Sequence, residues 1–509
     1  MCSKNIRRFA LLMLVLCSAS VHAADSSSSG PQLNFDPNSV SGAESKPSSD
    51  KNKDFVYGST PIAKFGNENN YIKLGGYGSF RFESDSAQDV NDTFTLRRLV
   101  FTTDAKIASR FRIYTELEFE RFRKVELERS VTVNPSGGLS VSQEIEGTNN
   151  SEISLEQAWF EVDFKNWIRL RGGAVLIPLG RFNINHDDNV WNLPRRSLVD
   201  RGVPVMATTA AWDELGIGLN GDIELTEKQK LDYQIYVVNG ASINAEIQNT
   251  IQTRPGTTTL NVVNANFDIS TGPFSNDVKD AKAVTGRVMW SPSLGHEFGL
   301  SGYWGRYTPS YLPGKNLTSF AVDTLHSWGD FDVEAEYMFT RLGGLRTVVD
   351  GLAAQIYDQT SSGTDSTVTP GVQTLVQFNP QGMAYTKQGY WVELRYHLRP
   401  RWLTNSFFGK YFSDPQFIPI GRWEQAFLSD QISNVTYAGG VVTNYQTENR
   451  FVNRGTVGLA FRLNPLAVFQ LAYEYTWTNS GQALADVVNY LATPSSSNNS
   501  FMFGAAFGF

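Results

Sequence analysis

The sequence predicts an all-β fold, an antiparallel transmembrane β-barrel of about sixteen strands, on three observations. The chain opens on an export signal. Its apolar segments repeat with a period of two, and none after the signal is long enough for a membrane helix. Its connectors alternate between short and long, the pattern of a barrel with short periplasmic turns and longer outer loops.

Residues 1–23 form the signal. Lys4, Arg7 and Arg8 give the positive start, "FALLMLVLCSAS" the apolar stretch, and "VHA" the residues before a cut after Ala23. Cys17 could serve a lipoprotein, but Leu16 is bulkier than the residue expected before such a cysteine. Cys2 and Cys17 both lie in the signal, so the exported chain has no disulfide to rely on. Residues 24–70, rich in Ser, Asn, Lys and Pro, read as a flexible periplasmic lead-in, and 71–509 as the barrel.

Composition agrees. Loss of Lys4, Arg7 and Arg8 takes the formal charge from −7 to −10, against a nucleic-acid partner. Aromatics make up 13% of the chain and there are 43 glycines, yet the mean hydropathy is −0.27. A barrel combines these because its outside is apolar while its lumen and loops are polar, although a secreted all-β lectin or adhesin has the same composition.

Alternation begins in "YIKLGGYGSFRFE" (71–83) and returns in "RIYTELEFE" (112–120), "EQAWFEVDF" (156–164) and "IRLRGGAV" (168–175). It continues in 231–239, 286–290, 297–307, 330–339, 390–398, 456–463 and 469–477. Strands with poorer alternation are placed at 213–225, 317–327 and 402–412. Short turns at 108–110, 165–166, 226–230, 292–296, 328–330, 399–401 and 464–466 alternate with loops at 84–93, 122–151, 176–212, 240–281, 309–317, 341–386, 413–449 and 478–498. Seven turns and eight loops give sixteen strands, with both ends of the barrel in the periplasm.

The chain ends in "SFMFGAAFGF". Phe501, Phe503, Phe507 and Phe509 occupy alternate positions around Ala505, and Met502, Gly504, Ala506 and Gly508 lie between them. Such a row would be sticky on a soluble sheet edge but suits a closing strand whose aromatic face meets outer-membrane lipid. It also resembles the signal that outer-membrane barrels present to the barrel-assembly machinery.

Sixteen strands leave a water-filled channel. Parity turns Arg81, Arg98, Arg112, Arg169, Arg171, Arg287, Arg395, Arg454 and Arg462 inward, among acids that include Glu116, Glu118, Glu161, Glu334, Glu393 and Glu474. One reading is a mixed-charge wall; the other is an arginine path for small anions, since guanidinium forks replace part of an anion's hydration shell. The loop 176–212 is placed to fold inward and carries Arg181, Arg195, Arg196 and Arg201 against Asp187, Asp188 and Asp200. The expected constriction therefore joins these four arginines to Arg98, Arg112, Arg169 and Arg171, with Glu116 and Glu118 close by. "HDD" at 186–188 has no second His or Cys cluster beside it, which favours a solvated turn over a metal site.

The stretches "TLRRLVFTTDAKIASRFRIYTELEFE" (95–120), "SLEQAWFEVDFKNWIRLRGGAVLIPLGRF" (154–182) and "PRRSLVDRG" (194–202) resemble the phosphate-selective porins of O and P type. The resemblance is clear over about 70–220, weak through the middle and renewed in the last strand. It implies a sixteen-stranded trimer in the Gram-negative outer membrane, a constricting loop and passive solute diffusion without a cofactor. Loop lysines are few (Lys279, Lys282, Lys315, Lys387) and inward acids many, so phosphate is one candidate solute among small anions. A general or sugar-selective porin is the alternative, with Trp191 and Trp391 as candidate lining aromatics. A barrel adhesin or scaffold is another. An enzyme is disfavoured, because His186, His296, His326 and His397 are scattered and no G-x-S-x-G occurs.

Overall fold

A computed structural model describes residues 63–67, 69–86, 92–121, 125–133, 139–147, 152–202, 205–208, 211–252, 259–272, 274, 277–361, 372–379, 383–438, 441–479, 481–488 and 493–509. The signal and most of the lead-in expected from the sequence lie outside the described residues.

Sixteen strands close on themselves. They are β1 (Asn70–Asp85), β2 (Thr93–Ile107), β3 (Phe111–Glu120), β4 (Glu152–Lys165), β5 (Ile168–Leu176), β6 (Asp213–Glu224), β7 (Lys230–Val238) and β8 (Ala283–Ser293). The second half comprises β9 (His296–Arg306), β10 (Asn316–Trp328), β11 (Phe331–Leu342), β12 (Ala384–Tyr396), β13 (Gln416–Ala438), β14 (Val441–Asn464), β15 (Ala467–Thr478) and β16 (Ser497–Gly508). Each pairs antiparallel with the next, and β16 returns to β1 from Tyr77↔Gly508 to Asp85↔Ser500. Closure leaves no free sheet edge in the ring. A short strand, Ala63–Asn67, adds a hairpin to the start of β1.

The pleat separates the two solvents. On β10, Leu317, Ser319, Ala321 and Asp323 are buried on the luminal side, while Phe320 and Val322 are exposed on the outside. Phe94, Phe101, Trp304 and Trp423 add to the apolar outer surface. The buried core lies inside the barrel, where loop and wall side chains meet.

The outer loops carry structure of their own. Val125–Val133 and Leu139–Gly147 form a hairpin. Ser242–Gln252 and Thr259–Ser270 form another, which Val372–Asn379 joins in parallel. The helix Leu345–Ser361 buries Val348, Val349, Leu352 and Ala353.

One segment corrects the sequence reading. Residues 402–412, expected as a strand, hold the helical turns Arg401–Thr404 and Phe407–Tyr411, and the barrel strand begins at Gln416. The expected long loop 413–449 is mostly β13 and β14, and the expected short turn 399–401 is the longer connection 397–415. The cause is aromatic content without strand periodicity. Trp402, Phe407 and Tyr411 are exposed, and Phe408 packs edge-on to Phe461 at 5.2 Å. These rings lie beside the outer face of β13 and β14 without entering the sheet.

The terminal row keeps its parity. Phe507 is exposed, whereas Phe503 is shielded and packs 5.9 Å from Phe80. Phe509 exchanges backbone hydrogen bonds with Gly76 at 2.9 and 3.0 Å. On the luminal side, Met502 and Ala506 pack with Leu193 of the inserted loop.

Candidate functional site: the inserted loop and its wall

Between β5 and β6 the chain turns into the lumen. Ile177, Leu179, Phe182, Leu198, Val199, Met206 and Trp212 are essentially inaccessible there. Phe182 stacks on Trp191 at 3.8 Å, and Trp391 from β12 meets both rings edge-on at 5.0 and 6.1 Å. Both candidate sugar-lining tryptophans therefore serve to pack the loop against the wall.

The wall makes room for the loop with small residues. A Cβ at Gly504 would lie 2.9 Å from Pro194 Cβ, and one at Gly458 would lie 2.4 Å from Leu193 Cδ2.

Charged groups fasten the loop around much of the ring. Arg181 meets Glu334, Glu297 (2.7 Å) and Asp323 (3.9 Å), while its backbone N–H donates to Glu336 at 2.5 Å. Arg195 lies between Glu83 (2.5 Å) and Glu474 (2.7 Å). Arg196 reaches Asp200 at 3.5 Å and donates to the His186 carbonyl. In return, Arg81 donates to the Pro194 carbonyl (2.9 Å), Arg422 to that of Arg195 (2.6 Å) and Arg454 to that of Arg196 (2.5 Å). The Leu198 N–H donates to Glu424 at 2.9 Å. The side chain of Arg201 lies outside the described residues.

The wall arginines divide into two groups. Arg98 joins the loop region, between Glu118 (2.9 Å), Glu120 (2.9 Å) and Glu156 (3.8 Å). Arg112, Arg169 and Arg171 lie near periplasmic turns and pair locally. Arg112 pairs with Asp104 (2.7 Å), Arg169 with Asp222 (3.0 Å), and Arg171 with Glu161 (2.7 Å). Arg171 also covers the Trp159 ring at 3.9 Å.

Sequence parity missed Arg97. The β1–β2 register pairs Ser79 with Arg98 and Phe80 with Leu96, so Arg97 is the extra residue of a bulge. Both arginines of "RR" consequently face inward. A small cavity is lined by Ser79, Arg81, Arg97, Asp188, Arg196 and Gln470, with Phe80, Trp191, Leu193, Pro194, Gly504 and Ala505 completing it. Arg97 Nε stands 3.8 Å from Asp188 Oδ2, an ion pair too long for a hydrogen bond, while Ser79 Oγ donates to that carboxylate at 2.7 Å. Burial opposes ionisation of Asp188, but Arg97, Arg98 and Arg196 outweigh it and hold its pKa below the usual range. Arg422, also missed, was hidden by the misplaced strand at 402–412.

"HDD" is not a solvated turn. His186 is 2% exposed, and its Nε2 lies 2.9 Å from Glu156 Oε2, 3.9 Å from Glu116 Oε1 and 3.9 Å from Asp187 Oδ1. Burial would lower the imidazole pKa, but Glu156 and Asp187 raise it to about 9. Glu116 and Glu118, expected near the constriction, face this part of the loop from β3.

The family model for the phosphate-selective porins O and P matches residues 77–480. An uncharacterized protein of Aquifex aeolicus (strain VF5) is 25% identical over 328 residues, 64% of this chain; the match spans 62% of that relative's length. Among solved structures, the anion-selective porin from Comamonas acidovorans is 7% identical, with 86% of this chain and all of that one covered and a TM-score of 0.46. The Salmonella typhi OmpF complex with daunomycin is 10% identical, with 88% of this chain and all of the other covered and a TM-score of 0.47. The match over most of its length makes the chain a member of the phosphate-selective porin O and P family.

Proposed function

We propose that the barrel passes small hydrophilic solutes by diffusion, with a moderate preference for anions set where the inserted loop meets β1 and β2. The observation carrying this reading is the cavity beside the loop, to which Arg81, Arg97 and Arg196 bring three guanidinium groups and Asp188 one carboxylate. Guanidinium groups in a narrow aqueous passage favour anions by charge and by their fork of donors. The preference is moderate because carboxylates accompany most luminal arginines, including Arg81 with Glu83 at 2.9 Å. Phosphate is then a weak competitor of chloride.

This reading includes export by a signal cleaved after Ala23, a periplasmic lead-in over 24–70, insertion by the barrel-assembly machinery and a homotrimer. It ranks above a sugar-selective porin because Trp391 is fully buried and Trp191, at the edge of the cavity, has one face already covered by Phe182 at 3.8 Å. The test is the zero-current potential of the purified protein in a planar bilayer under a potassium chloride gradient. A potential on the chloride side is expected. One on the potassium side would leave a general pore as the better reading, and absence of conductance would favour an adhesin or scaffold.

A further inference from the structure

We propose that His186, Glu116, Glu156 and Asp187 form a site for a divalent transition-metal cation of the zinc class, which fastens the inserted loop to the barrel wall. One histidine and one carboxylate come from the loop. The other two carboxylates come from β3 and β4, so a bound cation would join three elements.

The geometry is close to a coordination sphere. Donor atoms of Glu116, Glu156 and His186 all lie within 4.8 Å of one another, and all three residues are buried. Tetrahedral bonds of about 2.0–2.1 Å separate neighbouring ligand atoms by about 3.3 Å. The distances from His186 Nε2, 2.9 Å to Glu156 and 3.9 Å to Glu116 and to Asp187, bracket that value. Side-chain shifts of up to about 1.5 Å would bring the atoms of Glu116, Glu156 and His186 around one centre, with Asp187, 3.9 Å from the imidazole, as the fourth donor.

The surroundings suit such a site independently of the distances. His186 Nδ1 lies 3.2 Å from the Asn183 carbonyl and can keep its proton there, so Nε2 becomes a ligand once the proton it shares with Glu156 is displaced. The other oxygen of Glu116, Oε2, accepts from Gln157 Nε2 at 2.7 Å and Tyr114 Oη at 3.3 Å, leaving Oε1 toward the histidine. Two buried carboxylate oxygens, Asp187 Oδ1 and Glu118 Oε2, have no hydrogen-bond donor, and the Glu118 side chain is 2% exposed beside Glu156. Buried carboxylates crowded in this way require a positive charge or a shared proton. Arg98 and the His186 imidazolium supply two charges, and a divalent cation taking the place of the imidazole proton would balance the surplus that Arg98 leaves.

The experiment uses the full chain, purified folded from outer membranes, stripped with a chelator, equilibrated with zinc at neutral pH and analysed for bound metal. About one tightly held equivalent per chain is expected, as for a preformed ligand set. His186→Gln and Glu116→Gln should each lose it. His326→Gln, which breaks the separate His296–His326 pair (Nδ1 to Nδ1 3.0 Å), should keep it. Absence of a tight equivalent, or one that survives His186→Gln, overturns the proposal and leaves His186 as an ion-pair partner alone. If these two variants fail to assemble, cobalt in the His326→Gln protein decides. Visible absorption of a four-coordinate ion supports the site, and its absence overturns it.

Discussion

Arg97 and Arg98 are neighbours turned into the lumen by one bulge, and their replacement should give opposite phenotypes. Arg97→Gln removes a charge held by an ion pair of 3.8 Å, with the side chain 15% exposed. Partly exposed pairs of this kind contribute about 0–1 kcal/mol, so the yield of folded protein should hardly change. The effect on permeation should be larger. A unit charge about 5 Å from a permeating ion contributes about 0.8 kcal/mol in water, favourable for chloride and unfavourable for potassium. The relative barrier then shifts by about 1.6 kcal/mol before screening and by about half of that at physiological salt, or roughly fourfold in the chloride-to-potassium permeability ratio. Arg98→Gln instead leaves Glu118 and Glu156, both nearly inaccessible, without their guanidinium. Removing one partner of a buried ion pair costs about 3–5 kcal/mol, so this variant should fail mainly in assembly. Zero-current potentials in a salt gradient and the heat-shifted band on electrophoresis measure the two effects. A folded Arg97→Gln channel with the wild-type permeability ratio would refute the assignment of that guanidinium to the ion path.

Deleting Phe509 removes the backbone pair with Gly76 and should leave the chain degraded or misassembled in the periplasm; normal outer-membrane yield would end the assembly reading. Deleting residues 183–200 should raise single-channel conductance in assembled protein if the loop narrows the pore, because the narrowest section dominates the resistance; unchanged conductance would show that the loop is not limiting. His397, in the connection after β12, is bonded to Asp332 at 2.9 Å and Gln416 at 2.8 Å. The Asp332 hydrogen bond raises its pKa against partial burial, so its contribution to stability is complete below about pH 6.5 and is lost as pH rises through the higher folded value. Heat-dissociation midpoints should fall slightly across that window in the wild type, and His397→Gln should flatten the fall.

The barrel was legible wherever one face of a strand meets lipid and the other water, because that contrast writes a period of two into the sequence. Even the poorly alternating 213–225 and 317–327 belong to strands, since the regular order of turns and loops requires them. The same reasoning failed at 402–412, where Trp402, Phe407, Phe408 and Tyr411 supply a lipid-facing composition on helical turns. The site was less legible for two reasons. A bulge shifts parity by one residue without a mark in the sequence, and it concealed Arg97. The partners of "HDD" are distant in sequence, Glu156 by 30 residues, so no local spacing could reveal the ligand set.

The last strand shows how the barrel's two faces constrain one another. Its outward positions carry phenylalanines for the membrane, while its inward positions include Gly504 and Ala506. A larger side chain at 504 would strike Pro194 Cβ at 2.9 Å and the Gln470 amide oxygen at 2.6 Å. Pro194 immediately precedes Arg195, whose guanidinium reaches Glu474 on β15 and Ser500 on β16. The strand that closes the barrel therefore also supports the inserted loop. Closure brings β16 beside β1, and β1 supplies Ser79, Arg81 and Glu83 to the same loop. The alternation of aromatic and small residues at the chain end thus serves the lipid on one side and the loop on the other, and it couples completion of the barrel to seating of the inserted loop.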